Sequence, residues 1–432
     1  MAYEYGAKEP DKLKIKDMTP REKELLIESN TFCMLPWIHL HAFPDGRAYP
    51  CCFSHDVYPV GDLNKNSMEE VFNGEKMNTM RNNMLQNKPC KECAKCYDQE
   101  KSGFFSMRLS SNKHFGHNIP LVHNTLPDGK ADFVMKYWDV RFSNLCNMAC
   151  RSCGTWFSSN WYEDHKKIYK NPPTHAKIMR VGRSSNDIWE QCLEQFDNID
   201  QFYFAGGEPI IMEEHYRILK ELDKRKRYHV RLIYNTNFSR TKFKDIDVFE
   251  LWNKFDSVSV GASLDAEGKR GELMRKGTVW EETVANRKRM LEVCPQVDFY
   301  ISSTVSLLNS LHVVDFHKNW VELGLIKPAD FNYNLLQGPI WQRMDVLPIE
   351  FKEQVKEKYE KHIEWLKEKD PLTRATKGYE SAIDWLMRRD KTSKLPFFFD
   401  LTRRHDAVRD EKTVEVFPEW KELFDKYEKV KA

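Results

Sequence analysis

From Lys136 onward the chain alternates short apolar runs with amphipathic stretches, and few folds accept that pattern. Six runs have the length and the β-branched or aromatic content of buried strands: 137–142, 201–205, 230–235, 257–262, 297–305 and 331–336. Between them apolar residues fall at helical spacing, as in Ile188, Trp189, Cys192, Leu193 and Phe196. Thr278 with Glu281 predicts a capping box that opens a further helix. Right-handed crossovers curl six such units into an α/β fold, a partial (β/α)6 TIM-like barrel. Its ligand face lies at the C-terminal ends of the strands.

The flanking regions have other textures. Residues 1–30 form a charged leader ending in a helix over 21–28. Residues 31–130 form a small module, 131–340 the barrel and 341–432 a helical C-terminal region. In the module, alternating apolar positions on both sides of Pro44-Asp45-Gly46 predict a β-hairpin. Ser67 with Glu70 caps a helix, and a second helix over 76–86 places Met77, Met80 and Met84 on one side. In the C-terminal region Phe351, Val355, Tyr359, Ile363 and Leu366 form the packed stripe of a charged helix. The run Phe397 to Phe399 with Asp400, Arg403, Arg404 and His405 suits a substrate route and helix packing equally.

Bulk composition narrows the class. In 432 residues, 67 Lys and Arg face 65 Asp and Glu, which excludes a polycationic nucleic-acid arm and gives no sign of polyanion affinity. No apolar run approaches the ~18 residues of a membrane span, and the first residues lack the apolar core of a signal peptide. The expected compartment is a reducing cytoplasm. Eleven cysteines there are free thiols or metal ligands.

Their spacing decides between these. Cys146, Cys150 and Cys153 form a Cys-x3-Cys-x2-Cys loop directly after the first barrel strand. Random placement would put about 0.2 cysteines in a window of that size. Three thiolates hold three irons of a 4Fe-4S cube and leave the fourth iron open, whereas structural zinc wants a fourth protein ligand, and none lies close in sequence. A second motif, Gly206-Gly207-Glu208-Pro209, ends the second strand. Its glycines admit a close backbone approach, and Glu208 offers a carboxylate at the barrel mouth. A tight turn before a helix explains the same tetrapeptide.

Together the two motifs resemble the radical S-adenosylmethionine superfamily. The resemblance implies that Cys146, Cys150 and Cys153 ligate a catalytic 4Fe-4S cluster whose open iron is chelated by S-adenosylmethionine. Gly206, Gly207 and Glu208 would receive the methionine amino group. By the same analogy Asn237 binds the cofactor, Ser263 and Asp265 face the ribose, Val305 lies near the adenine, and Arg275 takes the methionine carboxylate. Many family members carry an aromatic residue just before the third cysteine; here Ser152 stands there, leaving Trp156 or Phe157 to support the adenine.

Cys33, Gly46 with Cys51, and Cys93-Ala94-Lys95-Cys96 resemble the SPASM or shorter twitch module. In most relatives this module follows the barrel; here it precedes it. The resemblance implies that Cys33, Cys51, Cys93 and Cys96 complete a second, auxiliary 4Fe-4S cluster. Cys52 and Cys90 compete for the same role, and a zinc knuckle would use the same ligands. His39 and His41, on one side of a strand, are expected to pack, and Cys192 and Cys294 to be buried hydrophobes.

The implied activity is reductive cleavage of S-adenosylmethionine to a 5'-deoxyadenosyl radical that abstracts hydrogen from a substrate. A low-potential donor such as flavodoxin or ferredoxin would supply the electron. The auxiliary module points to a peptide or protein side chain as substrate. A sugar or nucleotide metabolite is the alternative within the same chemistry. A zinc or iron-sulfur scaffold for a protein or nucleic-acid partner is the alternative outside it.

Overall fold

The computed structural model describes residues 15–101, 105–371 and 373–428. The first fourteen residues of the expected leader lie outside them. Along the chain, strands Tyr137–Val140, Gln201–Phe204, Arg231–Thr236, Val258–Ala262, Asp298–Val305 and Phe331–Leu335 alternate with helices. This is the α/β succession of a partial (β/α)6 TIM-like barrel, with a hairpin-plus-helix module before it and helices after it. Chain contacts divide the protein into two compact units.

The first unit comprises residues 1–144, 178–234 and 254–259. Gln201–Phe204 pairs in parallel with Tyr137–Val140 on one side and with Arg231 to Tyr234 on the other. Every residue of Tyr137–Val140 and Gln201–Phe204 is buried, as expected of parallel strands covered on both faces. Helix Glu213–Lys224 buries His215, Tyr216, Ile218, Leu219 and Leu222, the i, i+3, i+4, i+7 stripe of a helix laid on a sheet.

The N-terminal hairpin continues this sheet. His39–Ala42 runs parallel beside Tyr137–Val140, with His39 opposite Tyr137 and Ala42 opposite Val140. It pairs antiparallel with Arg47–Tyr49, which pairs with Gly61–Asp62. Gly46 turns the hairpin at φ +89°, and a Cβ there would stand 2.4 Å from the Asn64 side chain. The expected capping box forms: Ser67 Oγ accepts from Glu70 N at 3.1 Å, and Ser67 N donates to Glu70 Oε2 at 2.7 Å. Helix Glu75–Leu85 buries Met77, Met80 and Met84 in the core beneath the module. Residues 21–28 begin as an α-turn, Pro20–Lys23, and widen into a π-turn over Glu24–Glu28.

The second unit comprises residues 145–177, 235–253 and 260–432. Asp298–Val305 pairs in parallel with Phe331–Leu335. Ala149–Cys150 pairs antiparallel with Arg275–Lys276, setting Arg275 opposite Cys150. The capping box expected at Thr278 is absent. Helix Trp280–Val293 starts after Val279, one residue later than the motif places it, and Trp280 N donates to Glu272 Oε1 at 3.1 Å. Helix Ile349–Leu366 buries Phe351, Val355, Tyr359 and Leu366 of the expected stripe, and Leu395–Arg409 buries Phe398 and Phe399. Among the described residues, no helix is long and apolar enough to cross a membrane.

Candidate functional site

In the first unit Cys33 lies in a buried apolar cluster against which Cys51 and Cys93 pack, and Cys96 acts on Cys33 and Cys51 through its charge. Burial pushes the Cys33 thiol up to about 12, and Cys96 adds to the rise. Burial raises Cys51 as well, with Cys96 and Cys33 as its neighbours. Cys93 is raised by burial and then by Cys51, Cys33, Cys90 and Cys96. Cys33, Cys51 and Cys93 resist ionisation partly because other thiols stand near them, a conflict that binding to a cation removes, whereas Cys96 is raised by burial and by Glu100.

The two competing cysteines stand next to this group, Cys90 near Cys93 and Cys52 near Cys51, and each has a further partner. Cys90 Sγ lies 3.7 Å from the Met80 carbonyl. Cys52 is raised by burial and then by Asp139, which it meets through a hydrogen bond. Among the described residues, no three His, Cys, Asp or Glu side chains converge on a single metal position.

Behind Cys52 lies a buried polar network that the sequence did not announce. Asp139 and His41 have no exposure, and His41 Nδ1 is 3.1 Å from Asp139 Oδ2. Arg141 Nε donates to Asp139 Oδ1 at 2.7 Å. Burial alone would raise the Asp139 carboxyl, but Arg141 and His41 hold it well below the ordinary carboxylate range. His39 Nδ1 lies 2.9 Å from the Tyr137 carbonyl, and burial pushes that imidazole down to about 4. Both histidines pack, as expected of them. The visible clue was period two: His39, His41, Asp139 and Arg141 occupy alternate positions of paired strands.

The same Arg141 covers the glycine motif. Gly206 adopts φ +79° and Gly207 φ +38°, conformations closed to most side chains. A Cβ on Gly206 would stand 2.9 Å from Arg141 Cβ and Cδ. Glu208 is 1% exposed, and its Oε1 accepts from Ile210 N at 3.1 Å. The carboxylate therefore caps the short helical turn Pro209–Ile211 that follows.

In the second unit the cysteine loop is fastened at several points. Met148 N lies 3.4 Å from Cys146 Sγ, and Cys146 N is 3.3 Å from Ser159 Oγ. Cys153 N donates to the Cys150 carbonyl at 3.0 Å. Asn147 Nδ2 donates to Ser239 Oγ at 2.9 Å, and Asn237 Nδ2 donates to Asn147 Oδ1 at 2.9 Å. Ser239 Oγ in turn donates to Asn237 Oδ1 at 2.7 Å, so the Asn237 amide clamps the loop. Trp161 Nε1 donates to the Cys150 carbonyl at 2.7 Å.

Asp265 and Arg275 are paired with each other. Arg275 Nε lies 2.8 Å from Asp265 Oδ2, and Nη2 donates to Oδ1 at 2.9 Å. Thr304 N also donates to Asp265 Oδ1, at 2.8 Å. Arg275 Nη1 then reaches Cys150 Sγ at 3.8 Å. The residues expected at the ribose and at the methionine carboxylate thus form one buried ion pair beside the second cysteine.

Asn309 is fully buried; its Nδ2 donates to the Asp265 carbonyl at 2.8 Å and its Oδ1 accepts from Ser306 N at 2.8 Å. Val305 is 1% exposed, and Ser263 N donates to the Thr236 carbonyl at 2.7 Å. Trp156 and Phe157 are exposed, and the Trp156 ring lies against His175.

The charges suit an anionic metal-thiolate group. Burial pushes Cys150 up, while Arg275 and, more weakly, Arg409 hold it down. Burial pushes Cys153 up to about 12, with Cys150 as neighbour. Arg275 and Arg409 are each paired with one carboxylate, Asp265 and Asp164, and Arg275 has Nη1 left over to face Cys150 Sγ, an arrangement that suits a thiolate there.

Sequence spacing did not announce Arg151, between the second and third cysteines. It is 4% exposed, and its Nη2 lies 2.6 Å from Asp406 Oδ1 and 2.5 Å from Glu411 Oε2.

Residues 33–97 match the family model of SPASM, an iron-sulfur cluster-binding domain. This stretch is similar to a SPASM domain. It contains Cys33, Cys51, Cys93 and Cys96, and it precedes the barrel strands. A SPASM-like stretch joined to a barrel that carries a Cys-x3-Cys-x2-Cys loop resembles radical S-adenosylmethionine enzymes with an auxiliary module. No curated protein matches the chain.

Among solved structures the chain is similar to anSMEcpe with bound AdoMet, at 17% identity over 55% of this chain and 58% of that one, TM-score 0.37. It is also similar to Streptococcus suis SuiB bound to the precursor peptide SuiA, at 16% identity over 54% and 50%, TM-score 0.30. The chain therefore spans between a half and three-fifths of the length of these neighbours. Likenesses this loose carry no argument about the site.

Proposed function

We propose that the protein is a radical S-adenosylmethionine enzyme acting on a peptide or protein side chain, with a catalytic 4Fe-4S cluster at Cys146, Cys150 and Cys153. The observation that carries this reading is the cysteine loop set against the Asp265–Arg275 pair, with Arg275 Nη1 3.8 Å from Cys150 Sγ. The SPASM-like stretch supports it, because a chain equipped for iron-sulfur clusters already has the means to move single electrons.

When bound, an open-iron cluster and S-adenosylmethionine supply one-electron cleavage of the sulfonium and a 5'-deoxyadenosyl radical that takes hydrogen from the substrate. The residues of this chain hold and orient. Asn147, Asn237 and Ser239 fix the loop so that Cys146 keeps its place. Arg275, locked by Asp265, offers a positive charge beside Cys150 to the thiolates or to the cofactor carboxylate. Gly206 and Gly207 present backbone to the methionine amino group, and Glu208 presents its carboxylate. Ser263 and Val305, at strand ends, border the nucleoside.

In the SPASM-like stretch Cys33, Cys51, Cys93 and Cys96 would hold an auxiliary cluster, which would supply a one-electron acceptor suited to a net two-electron oxidation or a cross-link. A flavodoxin- or ferredoxin-like protein would supply the first electron.

The test is anaerobic reconstitution, reduction with dithionite and assay for 5'-deoxyadenosine. The intact protein forms it and Cys150→Ala does not. A fully iron-loaded protein that leaves S-adenosylmethionine intact refutes the proposal.

A further inference from the structure

Helix Leu395–Arg409 meets the cysteine loop with more charge than the function above has used. Its core contacts are apolar: Leu401 and Val408 pack with Ala149, Trp161, Trp341 and Cys153. Around that contact lie Arg151, held by Asp406 and Glu411, and Arg409.

Arg409 is the less explained of the two. Its side chain has no exposure, and Nε lies 2.9 Å from Asp164 Oδ2. Its guanidinium sits 4.8 Å over the ring of Trp161, the residue whose Nε1 donates to the Cys150 carbonyl. Both Nη1 and Nη2 are buried with no hydrogen-bond partner. Unmet donors on a buried charge are costly, and Lys276 Nζ already lies 3.1 Å from the same Asp164 carboxylate. Neutralising Asp164 therefore does not call for a buried arginine. Val408, next to it in the chain, packs with Cys153 and Trp161, so the Arg409 charge stands one indole ring away from the Cys150 carbonyl.

We propose that Arg409, from the C-terminal helix, tunes the cluster at Cys146, Cys150 and Cys153: its charge, fixed over the Trp161 ring that bonds to the Cys150 carbonyl, stabilises the reduced form. This rests on the reading that those three cysteines hold a redox cluster. Reduction adds one negative charge to the cluster, and a cation held nearby in a poorly screened interior lowers the energy of that state. The C-terminal region is then part of the redox centre and more than a cover for the barrel.

The experiment is an EPR-monitored redox titration of the reconstituted full chain. It follows the signal that changes when S-adenosylmethionine is added and uses the other cluster as internal reference. Arg409→Gln shifts the reduction equilibrium of the responsive cluster at least tenfold toward the oxidised form, about 59 mV lower for a one-electron couple. Arg409→Lys stays close to the native midpoint, and both variants keep native iron content and an unchanged reference midpoint. If Arg409→Gln does not fold, Arg409→Met, which keeps an apolar stem over Trp161 and removes the charge, gives the same test with the same sign, a lower midpoint.

An unchanged midpoint in an iron-replete variant overturns the proposal. So does loss of iron from that cluster in both Gln and Lys variants, which makes Arg409 a brace for the loop. If no signal responds to S-adenosylmethionine and none is lost in Cys150→Ala, the functional reading itself has failed.

Discussion

Replacing Gly206 with alanine separates the geometry of the glycine motif from that of the cysteine loop. The residue sits at φ +79°, where a side chain costs about 1–2 kcal/mol through its clash with the following carbonyl. The added Cβ also meets Arg141 Cβ and Cδ at 2.9 Å. Arg141 cannot swing aside cheaply, because its Nε is held by the buried Asp139 at 2.7 Å. Overpacking of that kind costs about 1–3 kcal/mol, so Gly206→Ala is expected to destabilise the fold by about 2–5 kcal/mol. The chain relieves part of this by moving the loop, which takes its backbone out of the binding position. A displacement worth 1.4 kcal/mol or more weakens S-adenosylmethionine binding by about tenfold or more. Urea unfolding and calorimetric titration of the iron-loaded protein read both effects, with iron per chain as control. A loss of stability below about 0.5 kcal/mol with unchanged affinity would refute the reasoning.

Arg151→Met strands the Asp406 and Glu411 carboxylates against a buried loop, and a destabilisation of about 3 kcal/mol in urea is expected, with lower iron retention. Native iron content and stability would show that the tether is idle. Serine at Cys33, Cys51, Cys93 or Cys96 removes one cluster, about four irons per chain. Serine at Cys52 or Cys90 leaves iron unchanged, because those thiols face Asp139 and the Met80 carbonyl; colorimetric iron assay decides, and iron loss from Cys52→Ser would contradict the ligand set.

Buried His39 and His215, pushed down to about 4 and about 3 by desolvation, stay neutral in the fold, whereas the unfolded chain binds their protons near pH 6.5. Their contribution, up to about 3 kcal/mol for His39, is therefore present above pH 6.5 and is lost as pH falls toward 4 and 3. Urea midpoints should drop between pH 7 and 5, and less so in His215→Asn; a flat profile excludes this.

The strands were legible because parallel strands bury both faces and read as apolar runs. The run 297–305 corresponds to Asp298–Val305, and 331–336 to Phe331–Leu335. The cap expected at Thr278 failed because the helix starts one residue later, where Glu272, eight residues from Trp280, takes its N–H. Spacing revealed the cysteine loop, whose members are close in sequence.

It could not reveal who holds that loop. Arg151 and Asp406 are separated by 255 residues, and Asn237 lies 90 residues from Asn147. A strand-end Asn reads the same in sequence whether it binds a ligand or clamps a loop. Asp265 and Arg275 were noticed singly, yet only the antiparallel pairing of Arg275 with Cys150 shows why they sit together. The hairpin looked self-contained because its alternation is that of any hairpin; its parallel seam with Tyr137–Val140 depends on a partner about a hundred residues on.

The central claim is an open iron at the Cys146, Cys150 and Cys153 cluster that binds S-adenosylmethionine. Electron-nuclear double resonance on the reduced protein with cofactor labelled at its amino nitrogen and carboxylate oxygen tests it most directly. The account predicts hyperfine coupling from both labels in the intact protein, unchanged in Cys93→Ser and absent in Cys150→Ala. A cluster that is present and reduced yet shows no coupling to either label would contradict it.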